Sequence, residues 1–195
     1  MHWREQEPDW FNAPVETWRE PGGDDNVRLL IVGLAPGLRG ANRTGRPFTG
    51  DFAGDLLYET LIRFGFATGS YGASPNDDLA LRNCAITNAV RCVPPDNKPV
   101  GAEINNCRQF LEATIAGFKG LQGIVTLGKI SHDSTLRALG IRPSQAAFGH
   151  GAQYEIGNFR VFSSYHCSRY NTNTRRLTPE MFQDVFREVS EFLDM

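Results

Sequence analysis

Residues 27–33, Val-Arg-Leu-Leu-Ile-Val-Gly, form an almost unbroken apolar run that ends on glycine and opens into a long glycine-rich loop. A run of this length, lacking the alternation of a half-exposed strand, reads as a strand buried on both faces. Such strands occur in sheets that helices cover on both sides, and the rest of the chain follows that plan. Residues 51–65 place Leu56, Leu57, Thr60, Leu61 and Phe64 on one helical stripe, with Gly65 as the stop. Further strands are expected at 85–90, 123–127 and 159–164. Further helices are expected at 102–115, 130–139 and 178–193, the last opened by a Thr-Pro cap. Strand and helix repeating at this spacing predict an α/β fold, a parallel sheet with helices on both faces. With no repeat, linker or low-complexity segment, a single domain spanning 1–195 is expected.

The totals exclude more than they suggest. No run of 18 apolar residues exists for a membrane helix, and the first residues, MHWREQEPDWF, lack the apolar core of a secretory signal, so a cytoplasmic protein is expected. Thirteen Phe, five Tyr and three Trp provide a core that a disordered chain lacks. The net charge of −2 offers no global reason to expect nucleic acid, but it averages an uneven distribution. Residues 1–25 carry seven acids against Arg4 and Arg19, and the stretch after Leu177 is also acidic. Residues 38–46 and 166–176, by contrast, hold three arginines each and no acid. The four cysteines, at 84, 92, 107 and 167, form no CxxC pair.

In a doubly wound sheet, ligands bind beyond the carboxyl ends of the strands. Both arginine segments fall at such ends, which places them on one edge. The first loop, GLAPGLRGANRTGRPFTGD, has glycines that permit close backbone approach to a ligand, but it matches neither the dinucleotide fingerprint nor a P-loop. Within it, Phe48 either stacks on a base or fills the core, and Asp51 is placed to cap the following helix. Asn88 interrupts an apolar strand just before its end, where its amide either reads a nucleobase edge or is satisfied by backbone. His166 opens a loop of phosphate-donating residues and is suited to meet a developing oxyanion. Pairing His166 with Cys167 as a nucleophile is geometrically poor, because neighbouring strand residues point to opposite faces.

Taken in order, GLAPGLRGANRTGRPFTGD, ITNAVRCVPPDNKP and SYHCSRYNTNT resemble the type-5 uracil-DNA glycosylases of the uracil-DNA glycosylase superfamily, over the chain from Asp9 onward. The resemblance implies a three-layer sandwich around a four-stranded parallel sheet. It also implies a monofunctional base-excision-repair hydrolase that cuts the N-glycosidic bond of uracil in DNA, and in some members of hypoxanthine or xanthine, leaving an abasic site. Its partner would be DNA carrying deaminated bases, met by a monomer without a membrane. Carried onto this chain, Phe48 stacks on the flipped base and Asn88 reads its edge, at a position where relatives often have alanine. Gly33 and Ala35 belong to the backbone that holds base and water. His166 hydrogen-bonds the uracil carbonyl. Asp51 positions water or stabilises the cationic sugar, helped by Asn42 or Asn97. Arg39, Arg43, Arg46, Ser168 and Arg169 grip phosphates, and the 170–175 segment enters near the lesion. The family carries a [4Fe–4S] cluster on four cysteines. Cys92 and Cys107 match one pair, while the N-terminal pair is absent from this sequence, so either the chain starts late or the cluster is lost. Two other readings stand beside the enzyme: a catalytically weak lesion- or single-strand-binding protein, and a small-molecule enzyme whose glycine loop holds a nucleotide phosphate.

Overall fold

The computed structural model describes every residue except Met1, Asp96 and Asn97. In chain order the elements are α1 (His2–Gln6), β1 (Trp18–Arg19), β2 (Leu29–Gly33), α2 (Ala41–Thr44), α3 (Phe52–Arg63), β3 (Ala67–Thr68), β4 (Ala80–Leu81), β5 (Cys84–Asn88), α4 (Gly101–Gly117), β6 (Gly123–Leu127), α5 (Lys129–Ala138), β7 (Gln153–Ile156), β8 (Phe159–Ser164), α6 (Arg169–Asn173) and α7 (Pro179–Phe192). The main sheet runs β1-β5-β2-β6-β8-β7. Its four central strands are parallel, as the apolar runs predict, and β1 and β7 flank them antiparallel. The expected four-stranded sheet is therefore the core of a six-stranded one. The two added strands are short edges, one of them only two residues long, too brief to leave a periodic signature.

Burial on both faces explains the unbroken hydrophobicity of the central strands. Along β2, Leu29 and Ile31 face one side with Leu57 and Leu61 of α3 and Phe182, Phe186 and Val189 of α7. Leu30 and Val32 face the other, with Leu111 and Ile115 of α4 and Leu136 of α5. Each fully buried large apolar side chain contributes about 1.5–3 kcal/mol relative to exposure, so a charge at any of these four positions of β2 would disrupt one of the two cores. Helix ends form where the caps predict: Asp51 accepts from the Gly54 amide at 3.2 Å, and the Thr178 hydroxyl accepts from the Met181 amide at 3.2 Å. Among the described residues no helix is long and apolar enough to cross a membrane.

Candidate functional site

The carboxyl ends of β2, β5 and β8 converge on a cavity of about 300 Å³. Its wall takes Ala35 and Gly37 from the first loop, Phe48 and Asp51 from the same loop's far end, Asn88 from β5, and His166, Ser168 and Arg169 from the segment after β8. Gly33 is what allows the convergence. It pairs with Asn88 across β2 and β5, and a Cβ there would lie 2.3 Å from the Asn88 side-chain oxygen and 2.6 Å from the Phe48 ring. Any side chain at position 33 would drive both groups out of place.

The polar groups of this cavity are held but not consumed. Asn88 is buried, and its amide has no hydrogen-bond partner among the described residues. The His166 ring lies 5.9 Å from the Phe48 ring with planes 27° apart, and its buried Nδ1 has no partner among the described residues. Burial lowers the His166 pKa to about 4, so the imidazole is neutral at physiological pH and offers one N–H donor. Asp51 spends one oxygen on the N-terminus of α3. The other faces the first loop, where a Cβ on Gly37 would stand 3.3 Å away. Burial raises the Asp51 pKa above the usual carboxylate value, and the Gly54 amide opposes the rise. Cys167, next to His166, is fully buried with its thiol donating to the Ala53 carbonyl at 3.5 Å.

Two residues expected at the site are placed otherwise. Asn42 is buried and does not line the cavity, its amide donating to the Asn12 side-chain oxygen at 2.9 Å. Asn97 lies outside the described residues. Arg46 is not a phosphate ligand on the surface: its guanidinium is buried in a two-pronged pair with Asp77, at 2.6 and 2.8 Å. It also donates to the Thr49 hydroxyl at 2.7 Å and lies over the Trp18 ring at 4.7 Å. Arg39 and Arg43 are exposed, and Arg169 borders the cavity while covering the Phe52 ring at 5.1 Å. Both arginine-rich segments thus share the edge that the strand order predicts.

Two tyrosines carry a role that residue type alone did not signal. Phe48 has φ 52°, a left-handed conformation that costs a bulky residue on the order of 1–3 kcal/mol. The Tyr58 hydroxyl donates to the Pro47 carbonyl, and the Tyr71 hydroxyl donates to the Phe48 carbonyl at 3.2 Å while accepting from the Gly50 amide at 3.1 Å. With Arg46 and Asp77 behind them, these bonds hold the strained turn and aim the Phe48 ring into the cavity. Tyr58 lies on the apolar stripe of α3, where a core reading is the default, and Tyr71 sits in an irregular loop.

The thiols do not assemble a four-cysteine site. Cys92 and Cys107 are neighbours, since the Cys107 thiol, after burial, helps raise the Cys92 pKa. Cys84 and Cys167 are buried elsewhere and bonded to the carbonyls of Phe66 and Ala53. Among the described residues no group of three or more His, Cys, Asp or Glu could hold a metal ion. Two thiolates do not fit an iron–sulphur cluster that needs four.

A pocket at the carboxyl edge of a parallel sheet, with an aromatic face, an open amide, a neutral imidazole and a carboxylate, defines an α/β protein built to take a planar heterocycle. The family model described as the uracil DNA glycosylase superfamily matches residues 21–190. The chain is 44% identical over 184 residues to the type-5 uracil-DNA glycosylase of Thermus thermophilus, covering 93% of this chain and 81% of that protein. It is 38% identical over 181 residues to the type-5 enzyme of Pyrobaculum aerophilum, with 93% and 77% covered. The type-4 enzyme of the same organism is 33% identical over 148 residues, with 73% and 67% covered. This chain belongs to the uracil DNA glycosylase superfamily.

Proposed function

We propose that this chain is a type-5 uracil-DNA glycosylase, a hydrolase that removes uracil from DNA and leaves an abasic site. The observation that carries the reading is the meeting of Phe48, Asn88, His166 and Asp51 around one cavity, in a chain 44% identical to a protein of that activity. Uracil turned out of the stack would lie against the Phe48 ring, at a cost of a few kcal/mol in lost stacking and pairing. Asn88, with one donor and one acceptor unspent, would read its edge. As the C1′–N1 bond breaks, its electron pair passes to the base. The neutral His166 ring would donate to the uracil carbonyl where that charge collects. Asp51, ionised, would hold the water that attacks C1′ and accept the proton the water loses, while stabilising the cationic sugar.

Arg39, Arg43, Arg169 and Ser168 would bind phosphates, with the 170–175 segment near the lesion. The Asn88 amide matches uracil more closely than a purine, so hypoxanthine and xanthine would be poorer substrates. The test is incubation with a uracil-containing duplex followed by alkali, where strand scission at the uracil is expected. Tight binding without scission would instead leave a lesion-binding protein.

A further inference from the structure

A second cavity, of about 490 Å³, lies beside the first. Trp3, Trp10, Glu7, Arg39, Arg43 and Gly50 line it. The two indole rings are nearly parallel, with planes 13° apart and centroids 6.5 Å apart. Arg39 and Arg43 are exposed and form no ion pair among the described residues. The Arg43 Nε donates to the Arg39 carbonyl at 2.9 Å, which holds the guanidinium near the cavity wall. Two cations against the one carboxylate of Glu7 leave the cavity positive.

Only a thin wall separates this cavity from the one that holds Asp51. Gly50 lines the second cavity and Asp51, the next residue, lines the first. A Cβ on Gly50 would stand 2.6 Å from an Arg43 guanidinium nitrogen, and one on Gly40 would stand 2.5 Å from an Asp51 carboxylate oxygen. Glycine at these two positions is what lets the arginine and the carboxylate approach the wall from its opposite sides.

An aromatic face beside a pair of guanidinium groups matches the two halves of a nucleotide, a ring that stacks and a phosphate that pairs. We infer that the Trp3–Trp10 cavity is a second nucleotide subsite, which takes a nucleotide flanking the flipped one in unpaired DNA, its base against indole and its phosphate at Arg39 and Arg43. The inference rests on the glycosylase reading for the strand's position, since that reading puts the lesion one wall away. The Glu7 carboxylate favours a base that presents an exocyclic amine, which it accepts. The subsite lies to one side of the lesion, so it has a polarity: nucleotides added on one side of the uracil engage it and those added on the other do not.

The experiment measures uracil release from single-stranded oligonucleotides that extend beyond the uracil on the 5′ side only or the 3′ side only. Extension on one side is expected to lower KM, and Trp10→Leu to forfeit about tenfold of that gain, the usual worth of one stacked base. Trp10→Phe, which keeps an aromatic face, is expected to retain most of it. A uracil-free single strand, followed by fluorescence anisotropy, should show the same ranking without any catalysis. Equal behaviour of wild type, Leu and Phe variants in both assays would overturn the subsite, and so would equal losses in the Leu and Phe variants. If the wild type releases no uracil, the glycosylase reading fails, and the anisotropy ranking alone decides the subsite.

Discussion

The turn that carries Phe48 has polar groups on both of its sides, and the protein treats them in opposite ways. Behind the ring, the Arg46 guanidinium bonds the Asp77 carboxylate and the Thr49 hydroxyl, Thr49 and Tyr58 both donate to the Pro47 carbonyl, and Tyr71 bonds the Phe48 carbonyl and the Gly50 amide. In front of it, the Asn88 amide and the His166 Nδ1 have no hydrogen-bond partner among the described residues, and Asp51 has an oxygen facing the loop. The two carboxylates report the same contrast. Asp77, hydrogen-bonded to Arg46, has its pKa lowered to about 2, while burial without a counter-ion raises that of Asp51. Unpaired buried groups destabilise a fold, so they persist where a ligand completes them, and the paired groups behind supply rigidity.

The comparison is broken most severely at Asp51. Asp51→Asn is expected to lower kcat by roughly 10²–10⁴, the usual range for a general base, measured by single-turnover release of uracil. In the wild type, kcat/KM should fall as pH drops through the raised Asp51 pKa, so the acid limb lies above the ordinary carboxylate value. The variant should lack that limb, and a limb that survives would remove Asp51 from its role.

On the other side of the turn, Asp77→Asn leaves the Arg46 charge buried without its counter-ion. Breaking such a pair costs about 3–5 kcal/mol, seen as a lower midpoint in urea. Because the folded Asp77 pKa is depressed, the stability it contributes is fully present above its unfolded value near 3.9 and is lost as pH falls towards 2. The variant should lose that portion of the acid dependence. An unchanged midpoint would mean that the network does not hold the turn.

His166→Ala should lower turnover by roughly 10²–10³, as for removal of one oxyanion donor. Since the wild-type ring is neutral above about pH 4, no rate change assignable to its titration is expected between pH 6 and 8. A bell with a limb near pH 6.5 that His166→Ala abolishes would contradict a neutral donor. Phe48→Leu should cost about 1–3 kcal/mol in binding of the flipped base, read as a rise in KM. The smallest effect is at Asn88. Asn88→Ala removes one hydrogen-bonding amide, worth about 0.5–1.5 kcal/mol, and should lower the ratio of uracil to hypoxanthine release by that amount. An unaltered ratio would show that the edge is read elsewhere.

Much of the architecture follows from residue pattern. The four central strands and the helices α3, α4, α5 and α7 lie within a few residues of the expected spans, because two-sided burial writes itself into unbroken apolar runs and helical stripes. Strands β1 and β7 leave little trace: an edge strand buries less, and pairing rather than composition defines it. The site was partly legible as well. Asn88 interrupts an apolar run at the carboxyl end of β5, Phe48 is an aromatic in the polar loop after β2, and His166 opens the loop after β8.

Arg46 marks where that legibility stops. In the sequence it is one of three arginines in a nine-residue loop, indistinguishable from Arg39 and Arg43. Its partner Asp77 is 31 residues away, in a segment with no pattern of its own. Local sequence therefore determined which strands are buried, which helices cover them and which loops gather at the carboxyl edge, since these depend on the periodicity of neighbouring residues. Tertiary structure alone decided that Arg46 is turned inward and Arg43 outward, that Phe48 is held at a positive φ, and that Asp51 and Asp77 titrate in opposite directions. Those outcomes depend on desolvation and on contacts between distant segments, and both exist only once the chain has closed on itself.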